Sequence, residues 1–389
     1  LALESGRYAD ALGGKKNLFR FFTVRCGELV APGGQFGMIM PLSLLGDMSC
    51  RRTREFMIGQ AALVRADCFP QKDIREKRIF KGAKLSTAIY QFEQGGPASE
   101  ICLRIFPANS LDDAFEALTV RTSNLGLIDR DGRPIPICDQ KSYDLCLRIY
   151  RNSSVVQLSD LQWLVIRRGE INQTTYRGFI TEKSGHERLL KGVEVGRFEI
   201  YGKLSQGERQ WFDAKAFKKS RHNNLLATVK RIATQRITGV DDSHRIIATI
   251  IDPTTYFADS TNSVHIDGET QYSLEYVLGL LNSTLIQWRF RLTSSNNNVG
   301  TNELNALPFR LIDFDNELDR AAHNTITKAV KQIIHQKSSK TSSNATLAQR
   351  QITALEARIE NTIFDLYGLS AAEREIVRQG SRPRKAVLS

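Results

Sequence analysis

A chain of 389 residues, 41% hydrophobic and 25% charged, is long enough for two or three domains, each with a core of its own. No stretch of it is apolar for the length a helical bilayer crossing needs, which excludes a protein built on membrane-spanning helices. Fifty-four Lys and Arg against 42 Asp and Glu leave a formal charge of +12, and such a field attracts polyanions, nucleic acid foremost.

The start, Leu1-Ala2-Leu3-Glu4, has neither an initiator Met nor a signal-peptide pattern; it fits trimming or a chain cut from something longer. Residues 17–30 place apolar groups at helical spacing, at 18, 21, 22, 26, 29 and 30, and Pro32-Gly33-Gly34 ends that helix. Phe36 to Pro41 reads as a buried strand and residues 51–60 as a helix with Arg51, Arg52 and Arg54 on its wet side. Two further strands are expected at 62–69 and 85–92, joined by a basic connection from Lys72 to Lys84. The six cysteines show no Cys-x-x-Cys and no zinc-type spacing with His, so no metal is expected, and reduced thiols in a cytoplasmic protein are the plainer account.

After Gly95-Gly96-Pro97 the texture changes to short strand-like runs, among them 154–158, 163–166, 198–201 and 246–251. One helix is expected over Leu274–Phe290, followed by a polar loop at 294–298. Residues 315–336 are helical and 337–346 form a Ser/Thr/Lys-rich linker. Ile352, Leu355, Ile359, Ile363 and Leu366 then trace one helical stripe, and Ser370-x-x-Glu373 is a capping box that starts a last helix before a basic tail. The expected domains are 1–97, 98–312 and 313–389.

Lys16-Asn17-Leu18-Phe19, then Phe22, then Leu29-Val-Ala-Pro-Gly-Gly34 and Met38-Ile-Met-Pro41 resemble the amino-group DNA methyltransferases of the gamma class. Phe80-Lys-Gly-Ala-Lys-Leu-Ser-Thr-Ala-Ile-Tyr-Gln-Phe92 is similar to a late strand of the same family. Arg167-Arg-Gly-Glu-Ile-Asn172, Gly178-Phe-Ile180, Lys230 to Arg236, Tyr272 to Ser283 and Leu304-x-x-Leu-Pro308 look like a TaqI-like carboxy-terminal specificity domain. The closing Ile363 to Glu373 is similar to the helical tail of related restriction-modification enzymes. The resemblance implies an α/β fold: the C-terminal half of a Rossmann-like class I methyltransferase sheet, a mixed α/β target-recognition domain and a helical tail. It implies transfer of a methyl group from S-adenosylmethionine to the exocyclic amine of adenine in double-stranded DNA, within a restriction-modification or phage-defence system.

The departures matter as much. The family's Gly-rich cofactor loop and its Asn-Pro-Pro-aromatic tetrad have no counterpart here, and the chain contains no Pro-Pro dipeptide. Those features are expected upstream of Leu1, so no catalytic residue is assigned and the fragment is expected to be inactive alone. The alternative is a non-catalytic DNA-binding specificity protein. Phe92 aligns with the family aromatic that packs against a flipped adenine; on pattern alone it reads as a core phenylalanine at a strand end, and with the resemblance the stacking role is expected. Phe22 aligns with an aromatic beside the cofactor's adenine, with Phe21 as its one-residue rival, a buried helix position being the bland alternative. Asn17 is placed to cap the helix. Arg75, Lys77, Arg78, Lys81 and Lys84, and with them Lys218 and Lys219, are expected on phosphates. Asn172, Arg177 and Arg236 are further candidates for DNA contact.

Overall fold

The computed structural model describes residues 6–14, 16–220, 226–239, 243–294, 297–339 and 345–382. It divides into an N-terminal unit, Leu1–Asn152 with Phe290–Asn296 and Arg384–Ser389, and a C-terminal unit, Ser153–Arg289 with Asn297–Pro383. Among the described residues no helix is long and apolar enough to cross a membrane.

The N-terminal unit begins with helix α1 (Leu18–Leu29), strand β1 (Gln35–Pro41), helix α2 (Arg51–Gly59) and strands β2 (Leu63–Phe69) and β3 (Thr87–Glu93), close to the expected bounds. Strand β1 is not the buried strand expected, since Met40 alone is buried and Ile39 is 53% exposed. Asn17 stands at the N-cap of α1, but its side chain makes no capping bond. The orientation of α1 differs from its amphipathic pattern. It buries Arg20, Thr23, Val24 and Gly27 and leaves Leu18, Phe22 and Leu29 exposed. Two contacts account for this. A Cβ on Gly27 would stand 2.7 Å from the Phe56 ring, so only glycine lets α2 approach here. The Arg20 guanidinium is satisfied by the carbonyls of Gly13 and Ser49, each at 2.6 Å. Arg54, expected on the wet side of α2, is also buried and donates to the carbonyls of Leu44, Asp47 and Gly132. Burial holds its pKa down, at about 10.

Strands β4 (Glu100–Ile105) and β5 (Glu116–Arg121) complete one mixed sheet of order β1-β3-β2-β4-β5. Strand β3 is antiparallel to β1 and β2, β4 is parallel to β2, and β5 closes antiparallel. The pairing of β2 with β4 puts Asp67 opposite Arg104, and the two side chains form a fork of 2.6 Å bonds. Helices α3 (Leu125–Ile128) and α4 (Gln140–Arg151) follow, α4 capped by Asp139. The domain break expected at Pro97 therefore falls instead after Asn152. Short strands such as β4, with Ile101 and Leu103 buried and Cys102 exposed, alternate in the same way whichever sheet they join.

The C-terminal unit opens with β6 (Val155–Gln157), β7 (Leu164–Arg168), β8 (Ile180–Thr181), β9 (Glu187–Leu190), β10 (Val195–Gly196), β11 (Glu199–Ile200) and β12 (Gln210–Phe212). After α5 (Ala214–Ser220) come β13 (Arg231–Gln235), β14 (Ala248–Ile251), β15 (Thr255–Phe257) and β16 (Thr261–Ile266). Two four-stranded sheets result, β14-β13-β16-β7 and β15-β9-β12-β8. Ile171, Leu189, Phe212, Phe217 and Tyr256 form a core beneath the second.

The single helix expected over Leu274–Phe290 is two: α6 (Leu274–Leu281) and α7 (Thr284–Thr293). At the break, the Asn282 amide bonds both the N–H and the carbonyl of Ala248. The Gln287 amide accepts from Arg245 and Ile246 N–H and donates to the Ile246 carbonyl. Two side-chain amides thus serve the edge strand β14 as a neighbouring strand would.

Helix α8 (Thr301–Asn305) and β17 (Pro308–Arg310), which pairs with β6, lead to α9 (Glu317–Ser338), α10 (Ala345–Leu366) and α11 (Ala371–Gly380). Gly279 admits α9, since a Cβ there would meet Ile326 at 2.6 Å. The expected linker is shorter than 337–346, because α9 continues to Ser338 and α10 starts at Ala345; residues 340–344 lie outside the described residues. The Ser370–Glu373 capping box is formed. These helices cluster with the C-terminal unit rather than apart from it.

Candidate nucleic-acid interface

In the N-terminal unit the candidate surface is the connection from Pro70 to Ser86. It is long, yet its backbone is pinned. The Gln71 side chain accepts from Asp73 and Ile74 N–H, Asn109 donates to the carbonyls of Glu76 and Arg78, and Ser86 donates to the Pro70 carbonyl. Arg78 belongs to this bracing: its guanidinium donates to the carbonyls of Lys72 and Asp73, which corrects its expected place on a phosphate. Lys84 is paired with Asp73 at 2.8 Å. Arg75, Lys77 and Lys81 are exposed and make no ion pair among the described residues.

The structure corrects Phe92. Its ring is 1% exposed and lies stacked on Phe36, with centroids 4.4 Å apart and planes 11° from parallel. The inner face of β3 places it there, so it is a core residue with no face open to a base. Phe80, in the basic loop, is 49% exposed and flanked by Lys81. It stands in the same sequence match, and its position between Arg78 and Lys81 in a turn-rich stretch was the available signal. Phe22 is 57% exposed on α1 with Leu18 and Leu29, not buried. A flat heteroaromatic ring can lie on it. That is one wall, too little to hold S-adenosylmethionine.

In the C-terminal unit, the segment Arg167-Arg-Gly-Glu-Ile-Asn172 leads from β7 over the β15–β16 turn. Gly169 is required there, because a Cβ would stand 2.0 Å from the Ala258 carbonyl oxygen. Glu170 takes Arg231, itself 1% exposed, in two bonds of 2.6 and 3.1 Å, and Arg231 also lies 3.7 Å from the Phe257 ring centre. On the same segment, Arg168 bonds the Asp259 carboxylate at 2.7 Å, and Arg236 bonds the Asp259 carbonyl at 3.1 Å. Burial and the neighbouring Arg168 both lower the pKa of Arg236. The Asn172 oxygen is engaged in a turn, accepting from Thr174 and Thr175 N–H. Arg177 and Lys218 are exposed; the Lys219 side chain lies outside the described residues.

The sequence profile of the TaqI-like C-terminal specificity domain matches residues 166–309, so the C-terminal unit carries a specificity domain of the kind found in restriction-modification enzymes. MmeI, a Type IIL restriction-modification enzyme solved in complex with DNA, has a similar structure: TM-score 0.54 at 12% identity, over 93% of this chain and 51% of that one. The type IIG endonuclease BpuSI (TM-score 0.34, 11% identity, 92% of this chain and 50% of that one) and the ATP-dependent Type ISP enzyme LlaBIII, bound to DNA (0.46, 8%, 85% and 28%), are more distant. The chain thus spans about half the length of MmeI. No curated protein sequence matches it.

Proposed function

We propose that the chain is part of a site-specific adenine DNA methyltransferase of a restriction-modification system, in the cytoplasm, whose C-terminal unit recognises a sequence in double-stranded DNA. The specificity-domain match over 166–309 is the observation that carries this. The strand order of the N-terminal unit supports it: a central antiparallel β3 between β1 and β2 suits the closing half of a Rossmann-like methyltransferase sheet. In this reading Arg75, Lys77 and Lys81 neutralise phosphates, and Phe80, in place of Phe92, offers a ring to an unstacked adenine. The cofactor, S-adenosylmethionine, supplies the methyl group; Phe22 is the one side chain here assigned to its adenine.

Titrating the chain with duplexes of varied sequence, at rising salt, tests the DNA reading. Affinity should depend on sequence, and log K should fall linearly with log salt, by about 0.9 per phosphate neutralised. Salt-insensitive or absent binding sinks it. Methyl transfer is tested separately, by reading the genomic frame before Leu1. An in-frame Asn-Pro-Pro-aromatic tetrad supports the enzyme, and a stop codon there leaves the non-catalytic specificity protein.

A further inference from the structure

We infer that Arg168 and Arg236, held on Asp259, are the guanine-reading pair of the specificity domain, addressing neighbouring base pairs in the major groove; this rests on the DNA reading above.

The geometry is specific. Arg168 ends β7 and Arg236 follows β13, strands that flank β16 in one sheet. Antiparallel pairing of β16 with both brings the two residues to the same end, beside the turn that holds Asp259. Arg168 Nη2 bonds the Asp259 carboxylate at 2.7 Å, while Arg168 Nε and Arg236 Nη1 donate to the same Asp259 carbonyl oxygen at 3.2 and 3.1 Å. A shared acceptor keeps the guanidiniums within a few ångströms of each other, a separation that suits adjacent stacked base pairs. Two guanidiniums stand against a single carboxylate, which Arg168 alone bonds, so the cluster keeps a net positive charge.

Asp259 is itself fixed. Its N–H donates to the Ile171 carbonyl at 2.8 Å, and its second carboxylate oxygen accepts from Gln173 N–H at 3.4 Å. Gln173 in turn donates to the Gln210 side-chain oxygen. Arg236 also anchors its backbone, giving its N–H to Ser260 and accepting from Val299 N–H. Its Nε is buried and without a hydrogen-bond partner. Ile237, the next residue, is 65% exposed, an apolar surface beside a cationic one.

These features favour a base edge over a phosphate. A phosphate asks only for charge, and a mobile lysine supplies it; O6 and N7 of guanine ask for an oriented fork. Arg168 keeps 52% of its side chain exposed while bonded through Nε and one terminal nitrogen. The fork is therefore presented to solvent with its orientation already set.

The experiment uses the 389-residue chain and a pool of randomised duplexes, selected by binding and sequenced. The unaltered chain should enrich a site containing adjacent guanines. Arg168→Lys and Arg236→Lys keep the charge and lose the fork; each should lower discrimination for guanine at one position by about 5- to 150-fold, leaving the others intact. Asp259→Asn, which keeps a bonding oxygen and loses the charge, should relax the Arg168 position and leave the Arg236 position, held by the main-chain carbonyl, nearly unchanged. Circular dichroism and thermal unfolding of each variant show whether it is folded, and the half-exposed Arg168 keeps the test open if Arg236 variants fail to fold. A consensus unchanged in the Lys variants, or affinity reduced alike for every sequence, overturns the pair as base readers while leaving DNA recognition standing. Absence of sequence preference in the unaltered chain overturns the DNA reading and this pair with it.

Discussion

The Pro70–Ser86 loop and the Arg168–Asp259–Arg236 edge are both basic and exposed, yet they hold their charge in opposite ways. In the loop the backbone is pinned and Arg75, Lys77 and Lys81 extend from it without ion-pair partners among the described residues. In the C-terminal unit the guanidiniums themselves are fastened, Arg168 to the Asp259 carboxylate and both arginines to the Asp259 carbonyl. Fixing a long charged side chain costs up to about 2 kcal/mol of rotamer freedom. Where folding has already met that cost, binding gains geometry; where it has not, binding gains only charge. Density of Lys and Arg therefore says little about role, and the bracing beneath them says a good deal.

The largest effect is expected where a guanidinium is fastened inside the C-terminal unit. Arg231→Met leaves the largely buried Glu170 carboxylate without its guanidinium partner and should cost about 3–5 kcal/mol of stability. Glu170→Gln with Arg231→Met should cost clearly less than the sum of the single changes. The three tryptophans, Trp163, Trp211 and Trp288, all lie in the C-terminal unit, so fluorescence-detected denaturant unfolding follows that unit alone. Strict additivity would show that Glu170 and Arg231 do not act as one brace.

Within the N-terminal unit two phenylalanines separate core from surface. Phe92→Ala should cost about 3–5 kcal/mol of stability, because a large ring stacked on Phe36 leaves a cavity. Phe80→Ala should leave stability nearly unchanged, and should weaken binding to a duplex carrying one unpaired adenine by about 1–3 kcal/mol. If Phe80→Ala instead unfolds the unit, or the binding loss follows Phe92→Ala in a folded protein, the assignment of the exposed ring is wrong.

Much of this was legible before any coordinates. The helical stripe of α10 and the Ser370–Glu373 box follow from period and capping chemistry, which act between near neighbours in sequence. What was not legible depends on distant partners. Arg54 reads as a surface residue because nothing in its helix shows the Gly132 carbonyl that accepts from it. Strands β4 and β5 show their alternation but not the sheet they join. Phe92 and Phe80 are the same residue type in one match, and only burial tells them apart. Arg236 was visible as a charge, but its acceptor, Asp259, was not.

The mildest expected effect tests the loop's half of the contrast. If Lys77 and Lys81 meet phosphates as unbraced charges, then Lys77→Ala and Lys81→Ala should each reduce the slope of log K against log salt by about 0.9. The selected duplex sequence should not change, since a phosphate contact is the same at every base pair. Arg78→Ala should act differently from either. Its guanidinium is spent on the carbonyls of Lys72 and Asp73, so its removal should loosen the loop, seen as faster amide exchange over residues 72–81. A change in consensus on replacing Lys77 or Lys81 would place those lysines on base edges, and the distinction between fastened and unfastened charge would then no longer separate the two surfaces.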